Sequence, residues 1–228
     1  MLFAHRVAAS WVGLNPGEQP FYVRYCESRN AYKADLTEKL QGLGDARVLE
    51  VGCDYGLLGS DLLAAAAKST IVTVEWRPEL LAPGHELIRA RGWSRRWRII
   101  GSGLQRMPFA TASFDAAISI DSLHWWSSPH RVFAELMRVV KPGGPLYISD
   151  LRRDAEEELI RLVLLAWKQQ STEEANWCVS LFARSWVSAY TVPEVESLAR
   201  EACLVQCDIV QDSPMTLSLM AVAGHASG

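Results

Sequence analysis

The sequence predicts an α/β protein built on a Rossmann-like, doubly wound, mostly parallel sheet. The first observation is a run of branched apolar residues that leads into glycine-rich sequence and then into a helix-forming run, all within residues 46–68. The second is an apolar run at Thr70–Glu75, which follows at the right distance for the next strand and ends on an acid. Strand, tight turn, helix and second strand form the front half of a βαβ unit.

Length and composition limit the class of protein. With 228 residues, the chain is expected to form one domain with a substantial core. Charged residues make up 21% of the sequence and the net charge is −3, so no overall basic field attracts nucleic acid. The five cysteines form no C-x-x-C pair and the histidines are scattered, which argues against a disulfide framework or a metal site. No apolar run approaches the roughly 20 residues of a membrane span, and a cytoplasmic location is expected.

Residues 1–29 precede the first strand and are rich in aromatic side chains. Such an aromatic density is not typical of a disordered tail. The segment is predicted to form short helices, which either close over a bound ligand as an N-terminal lid or cover one edge of the sheet. A further helix is predicted at residues 30–41, because glycines follow it.

The glycine-rich turn after the first strand predicts a nucleotide site. Glycine lets the backbone adopt positive φ and approach a ligand closely, and the next helix offers unpaired N–H groups at its N-terminus. Glu75 ends the second strand, where a carboxylate can accept hydrogen bonds from both ribose hydroxyls. Trp76 follows it and is expected either to pack on an adenine face or to be a partly exposed core residue.

Strands and helices alternate through the next part of the chain. An apolar stripe of helical spacing predicts one of these helices, which ends at a K-P-G-G turn. The predicted elements are a helix from Pro78 to about Arg91 with a bend at Pro83, a strand at Trp97–Gly101, a strand at residues 114–120, a helix at about 129–140 and a strand at 145–150.

Residues 89–98 carry five arginines around two tryptophans. This composition suits a nucleic-acid patch, in which phosphates pair with arginine and bases stack on aromatic rings. The alternative is a solvated helix end, where arginines favour the negative pole of the helix dipole. The alternative is preferred, and nucleic acid is not expected as a partner.

The last third of the chain begins with an individual segment and ends with a hairpin. Residues 154–185 combine an acidic start, an apolar helix and several tryptophans, and are either a substrate-defining helical insertion, placed at 151–190, or a helix packed on the sheet. Thr191 to Glu194 form a capping box with proline in the first turn, which predicts a helix to about Ala202. Two apolar runs at residues 204–210 and 215–223 predict a hairpin.

Several sequence blocks within residues 46–150 carry a resemblance to a known family. They are E-V-G-C-D-Y-G at 50–56, V-E-W-R-P-E-L-L at 74–81, M-P-F at 107–109 with S-F-D at 113–115, S-L-H-W at 122–125 and R-V-V-K-P-G-G at 138–144. In this order and spacing they are similar to blocks of class I S-adenosylmethionine-dependent methyltransferases. The block at residues 74–81, for example, resembles V-D-x-S-P-E-M-L of that family. Within that family they resemble a small-molecule subgroup that includes ubiquinone-biosynthesis enzymes. The resemblance implies a seven-stranded sheet with one antiparallel strand, and S-adenosyl-L-methionine as the cofactor.

The resemblance also implies which residues form the site. Ligands of such sheets bind outside the carboxyl ends of the strands, where the strand order reverses. His124, after the fourth strand, is the candidate general base, and the alternative is a locally hydrogen-bonded packing residue. Asp121 is the second catalytic candidate and is expected mainly to shape the cofactor pocket. The expected cofactor-binding residues are Glu50, Gly52, Cys53, Asp54, Gly56, Glu75, Trp76, Gly103, Leu104 and Asp121.

The expected function is methyl transfer to a small-molecule substrate. In-line transfer from an activated donor requires mainly near-attack geometry, with a base only when the acceptor carries a proton of high pKa. Two alternatives are a scaffold protein that has lost turnover and an enzyme that uses the bound sulfonium for a non-methylating reaction. Glu75 and the S-L-H-W block favour catalysis, because a scaffold has no chemical need for them. The oligomeric state is left open, with a homodimer as one alternative.

Two departures from the family blocks fall on the cofactor site. Asp54 stands at the middle glycine of the turn, and G-S-G-L at residues 101–104 replaces the G-D-A that holds the adenine amino group. A carboxylate about 5 Å from the cofactor's methionine carboxylate would cost roughly 3 kcal/mol at an effective dielectric constant of about 20. The same carboxylate could instead attract the cofactor's ammonium or sulfonium group.

Replacing Asp54 with glycine tests the sign of this effect. We expect Asp54→Gly to tighten S-adenosylmethionine binding by about one to two powers of ten, because it removes both the charge repulsion and the strained Cβ. Calorimetric titration measures the change. Weaker binding in the variant would show that Asp54 is itself a cofactor ligand.

Overall fold

A computed structural model describes residues 45–52, 63, 68–169 and 173–224. The predicted N-terminal lid, the predicted helix at residues 30–41 and the turn residues Cys53, Asp54 and Gly56 lie outside the described residues. The strand and helix patterns predicted from residue 45 onward can be compared with the structure.

The fold is a seven-stranded sheet in the order β3-β2-β1-β4-β5-β7-β6. The strands from β1 to β5 pair in parallel, whereas β7 runs antiparallel to both β5 and β6, which confirms the predicted single antiparallel strand. The strands are β1 (Arg47–Val51), β2 (Thr70–Glu75), β3 (Trp97–Gly101), β4 (Ala116–Ile120), β5 (Pro145–Leu151), β6 (Val205–Val210) and β7 (Thr216–Val222).

Helices flank the sheet, and short 3-10 helices precede two of them. The 3-10 helices are Pro78–Leu80 and Leu123–Trp125. The α-helices in the described residues are α1 (Leu81–Ala90), α2 (Pro129–Val139), α3 (Glu157–Lys168), α4 (Glu173–Ser188) and α5 (Val192–Glu201). The capping box predicted for α5 is present, with the Thr191 side chain accepting from the Glu194 N–H and the Glu194 side chain accepting from the Thr191 N–H.

The core lies on both faces of the sheet, as the period-two alternation of the strands requires. Leu49 and Val51 of β1 join a buried cluster that includes residues of α2 and α5. Val48, on the opposite face, joins a second cluster with residues of α1. A third cluster, containing Trp167 and Phe182, joins α3 to α4 beside the sheet.

The fourth strand is two residues shorter than predicted. Phe114 makes an isolated bridge with Val140 and is fully buried, but it does not belong to β4. Asp115, between Phe114 and the first residue of β4, directs its carboxylate to residues outside that strand. It accepts hydrogen bonds from the Arg47 N–H at 2.7 Å and from Lys141 Nζ at 2.6 Å.

Asp115 therefore fastens the start of β1 to the turn before β5. The Arg47 N–H, and then the Lys141 ammonium, hold the pKa of the Asp115 carboxyl below its ordinary value. A carboxylate with a depressed pKa in the folded state stabilises the fold above its unfolded pKa of about 4, and this stabilisation is lost as the pH falls.

We expect Asp115→Asn to lower the free energy of unfolding at neutral pH by about 1 kcal/mol, through the loss of charge-assisted hydrogen bonds. Its stability should also decline less than that of the wild type between pH 6 and acidic pH. Urea denaturation over this range measures both effects. The control is Asp45→Asn, because the Asp45 carboxylate is 68% exposed and 4.0 Å from Lys68 Nζ. If the free energy of unfolding fell equally in acid for wild type and Asp115→Asn, the prediction would be wrong.

Candidate functional site

Four parallel strands end at one edge of the sheet, and each is followed by or ends on a functional-site candidate. Gly52 follows β1, Glu75 ends β2, Asp121 follows β4, and Asp150 is the penultimate residue of β5. The strand order reverses between β1 and β4, which is where doubly wound sheets bind ligands. The structure thus brings the predicted site residues of β1, β2 and β4 to a common edge.

Gly52 lies where no other residue fits well. Its φ is +85°, and an added Cβ would lie 3.1 Å from Ser122 Cβ and 3.4 Å from the Trp76 ring. Its N–H donates to the Val74 carbonyl at 2.9 Å, which ties the beginning of the turn to β2. The glycine predicted from the sequence is therefore required by both conformation and space.

Glu50 lies under this turn, inside the sheet. Its side chain is buried and accepts a hydrogen bond from Thr73 Oγ1 of β2. Thr73 Oγ1 in turn accepts from the Trp97 indole N–H at 2.8 Å. A hydrogen-bonded row therefore crosses from β1 to β3 and holds the first three strands in register behind the site.

Glu75 is completely buried, and Arg77 lies against its carboxylate. Glu75 Oε1 accepts from the Arg77 backbone N–H at 2.8 Å and from Arg77 Nε at 3.0 Å, while Oε2 accepts from Arg77 Nη2 at 3.2 Å. The guanidinium also lies 5.0 Å from the centre of the Trp76 ring. The sequence predicted a role for Glu75 but not its pairing with Arg77.

A cleft of about 370 Å³ opens beside these strand ends. It contains three of the predicted cofactor-binding residues, Trp76, Gly103 and Leu104. An added Cβ at Gly103 would meet nothing within 4 Å, so this backbone is open to a ligand. The lining residues are Trp76, Gly103, Leu104, Gln105, Arg106, Trp125, Trp126, Ser127 and Val132.

One wall of the cleft is fixed by an ion pair on α2. Glu135 Oε1 accepts from the Met107 N–H at 2.5 Å and from Arg138 Nη2 at 2.6 Å, and Arg138 donates to the Phe109 carbonyl at 2.8 Å. Burial opposes ionisation of Glu135, but these hydrogen bonds outweigh it and place its pKa below the ordinary value. The M-P-F and R-V-V-K-P-G-G blocks are thereby joined physically.

A second cavity, of about 440 Å³, lies at the opposite end of the sheet. Its walls come from the first residues of β4 and β5 and the last residues of β7, such as Ala116, Pro145 and Val222. Of the predicted site residues that the structure describes, none lines it. Because ligands of doubly wound sheets bind at the carboxyl ends of the strands, the smaller cleft is the better candidate site.

His124 and Asp150 form a buried pair at the ends of β4 and β5. The His124 Nδ1 and Asp150 Oδ1 atoms are 2.6 Å apart, and the Asp150 carboxylate also accepts from the backbone N–H groups of His124 at 2.9 Å and Leu151 at 2.7 Å. The His124 side chain is 2% exposed, and its Nε2 has no hydrogen-bond partner among the residues that the structure describes. Nδ1 donating to Asp150 leaves Nε2 as the basic nitrogen.

Asp150 is the functional candidate that sequence reasoning missed. The signal was present, because Asp150 is an acid near the end of a buried strand, just as Glu75 is. Asp121, the second predicted catalytic residue, has a positive φ of 51° and donates its N–H to the Ser149 carbonyl at 2.9 Å. It therefore begins the turn that carries His124 to Asp150.

Helix α4 brings the predicted insertion to this turn. Arg184 lies 5.5 Å from the centre of the Trp125 ring, and the Trp125 ring lies 4.9 Å from that of His124. Trp167 and Phe182, by contrast, pack edge to face inside the third cluster. Some side chains of the predicted insertion therefore pack in the core, and others lie next to the candidate site.

Two residues of the arginine-rich segment at 89–98 have structural roles. Trp97 is buried in the second cluster and offers no stacking surface. Arg96 donates to the backbone carbonyls of Ser69 at 3.0 Å and Leu63 at 3.2 Å.

The described residues contain neither a cluster of metal ligands nor a membrane-spanning helix. Within residues 45–52, 63, 68–169 and 173–224, no group of three or more His, Cys, Asp or Glu side chains could hold a metal ion. In the same ranges, no helix has the length and apolar character needed to cross a bilayer.

Comparison with known proteins identifies the domain. The family described as methyltransferase domain matches residues 49–148. A malonyl-[acyl-carrier protein] O-methyltransferase from Legionella pneumophila is 33% identical over 140 residues, which cover 60% of this chain and 48% of that protein. A ubiquinone biosynthesis O-methyltransferase from Dechloromonas aromatica is 28% identical over 134 residues, which cover 59% of this chain and 56% of that protein. The chain spans about half the length of these curated relatives.

A solved structure supports the same fold. An S-adenosylmethionine-dependent methyltransferase from Aquifex aeolicus aligns with a TM-score of 0.62 at 17% identity, covering 82% of this chain and 89% of that chain. At 17% identity this likeness shows the fold alone. The similarity to methyltransferases rests on the family match at residues 49–148. Residues 49–148 of the chain therefore match a methyltransferase domain, and the fold is that of S-adenosylmethionine-dependent methyltransferases of class I.

Proposed function

We propose that this protein transfers the methyl group of S-adenosylmethionine to a hydroxyl oxygen of a small-molecule acceptor. The observation that carries the proposal is the buried His124–Asp150 pair, which adjoins Trp125 of the cleft and leaves His124 Nε2 without a hydrogen-bond partner among the described residues. Two relatives are named O-methyltransferases, which agrees with an oxygen acceptor.

The residues at the strand ends fit the cofactor. Gly52 would allow close backbone approach without a Cβ, the Glu75 carboxylate would accept from the ribose hydroxyls, and Trp76 and Leu104 would provide apolar walls for the adenine. With Glu50 supporting the turn and Asp121 shaping the pocket, these residues would hold S-adenosylmethionine. The bound cofactor supplies an activated methyl group on sulfur, and its loss leaves a neutral thioether.

His124 would accept the proton that the acceptor hydroxyl loses as its oxygen bonds to the methyl carbon. Asp150 holds the imidazole in the tautomer with the proton on Nδ1 and stabilises the cation that forms. Nε2 is buried, so the proposal requires that acceptor binding opens a path to it. The pair anchors the base rigidly, because three hydrogen bonds hold the Asp150 carboxylate.

The buried pair also favours catalysis over a scaffold role. A buried polar atom without a partner costs about 1–3 kcal/mol. A scaffold gains nothing from keeping the unpartnered Nε2 of His124 under the surface of the site. An enzyme that abstracts a proton there has a reason to keep it. Binding of the cofactor without methylation of any acceptor would instead favour the scaffold or a non-methylating reaction.

The first test concerns cofactor binding. We expect Glu75→Ala to weaken binding of S-adenosylhomocysteine by about tenfold to several hundredfold, because each lost charge-assisted hydrogen bond is worth about 1.5–3 kcal/mol. Calorimetric titration gives the affinity, and the exposed Glu79 supplies the control Glu79→Ala. Equal affinity of wild type and folded Glu75→Ala would refute the role of Glu75.

The second test concerns the base. Purified protein is incubated with S-adenosylmethionine labelled in the methyl group and a panel of phenols and alcohols, and labelled product is counted. With any acceptor found, His124→Gln should lower turnover by about a hundredfold or more, and Asp150→Asn should lower it through the wrong imidazole tautomer. Cofactor affinity should stay within about threefold of wild type in both variants.

The matched control for the base is His130→Gln, because His130 is an exposed histidine on α2. It should leave turnover unchanged. If His124→Gln keeps full turnover, the acceptor needs no base from this residue, and the imidazole only packs against the site. Melting curves of each variant exclude unfolding as the cause of a loss.

A further inference from the structure

Arg77 donates hydrogen bonds to the Glu75 carboxylate, which the proposed function assigns to the ribose of the cofactor. Its backbone N–H and Nε both donate to Glu75 Oε1, and its Nη2 donates to Oε2. Both oxygens of Glu75 are therefore engaged by a residue of the same chain. The ribose hydroxyls of an adenosyl cofactor need the same two acceptors.

The local sequence explains how one residue can do this. Arg77 follows the last residue of β2 by two positions and precedes the 3-10 helix that begins at Pro78. The chain turns there, so the backbone N–H and the side chain of Arg77 reach the same carboxylate. The Trp76 ring, 5.0 Å from the guanidinium carbon, gives the charged group a surface to lie on.

Burial makes the pairing important in the absence of a ligand. The Glu75 side chain has no exposed surface, and a buried carboxylate is costly unless it is paired and hydrogen-bonded. The Arg77 side chain is 28% exposed, so part of it already contacts water. It can leave the carboxylate for solvent more readily than a fully buried partner could.

We infer that Arg77 competes with the ribose hydroxyls for Glu75, so that the cofactor binds by displacing the guanidinium and does so more weakly than the site otherwise allows. This inference rests on the proposed cofactor site. Each hydroxyl that arrives must replace a charge-assisted hydrogen bond already made, so the carboxylate contributes less affinity than it would without the Arg77 guanidinium. Removing Arg77 leaves the carboxylate ready for the ribose.

The test uses Arg77→Met, which keeps the apolar stem on Trp76 but removes every side-chain donor. Calorimetric titration at pH 8 with S-adenosylhomocysteine should show binding about tenfold or more tighter than in the wild type. Arg77→Lys, which keeps the charge but makes fewer bonds, should fall between the two. The control is Arg98→Met, because Arg98 is exposed on β3 and the same charge is removed.

A second ligand separates competition from a general effect on the fold. The 2′-deoxy analogue of S-adenosylhomocysteine lacks one of the competing hydroxyls. In the wild type it should bind within about threefold of the parent, because Arg77 retakes the vacated oxygen. In Arg77→Met the analogue should lose about tenfold or more, because the guanidinium that would take the place of the missing hydroxyl is absent.

The outcomes distinguish this inference from the proposed function. If wild type binds and Arg77→Met binds equally or more weakly, or if the loss with the 2′-deoxy analogue is the same in both, Arg77 does not compete and the inference is overturned. If Arg77→Met binds but wild type does not, the inference is supported. If neither protein binds S-adenosylhomocysteine, the cofactor proposal and this inference are both overturned.

Discussion

The site depends on how the end of β1 is fastened to the end of β4. The hydroxyls of Ser119 and Ser122 both donate to the Val51 carbonyl at 3.0 Å and lie 2.5 Å from each other. The two hydrogen bonds to the Val51 carbonyl join β1 to β4, where the strand order reverses. Ser122 also fills the space that a side chain at residue 52 would need. The positions of Glu75 and of the His124 turn are set on either side of this junction.

The sequence predicts the framework well because local signals and burial agree there. The bounds of β2 and β3 match the apolar runs, and the α5 capping box satisfies its own helix end without help from distant residues. The start of β4 is harder to predict from the sequence. Phe114 is as apolar as its neighbours, but the Asp115 carboxylate is held by Arg47 and Lys141, which are distant in sequence.

The polar pairs of the site are harder to predict, because a strand pattern gives the position of a side chain but not its partner. His124 and Asp150 are 26 residues apart, and their contact depends on the parallel pairing of β4 with β5. Arg77 is only two residues from Glu75, but arginine after a strand is usually solvated. A fully buried acid with an arginine two positions later is the signal that could have suggested this pair.

The two buried acids of the edge are satisfied in different ways. Asp150 is held by His124 and by two backbone N–H groups, so its pairing persists throughout the proposed proton transfer and keeps the imidazole oriented. The Glu75 carboxylate is paired with an arginine whose side chain is 28% exposed, so in the proposed site this pairing is one that a ligand can exchange. A carboxylate that must orient a base benefits from permanent partners, because any loosening misplaces the reacting nitrogen. A carboxylate that must accept a ligand needs partners that can leave, and Arg77 satisfies that requirement at the cost of competing for it.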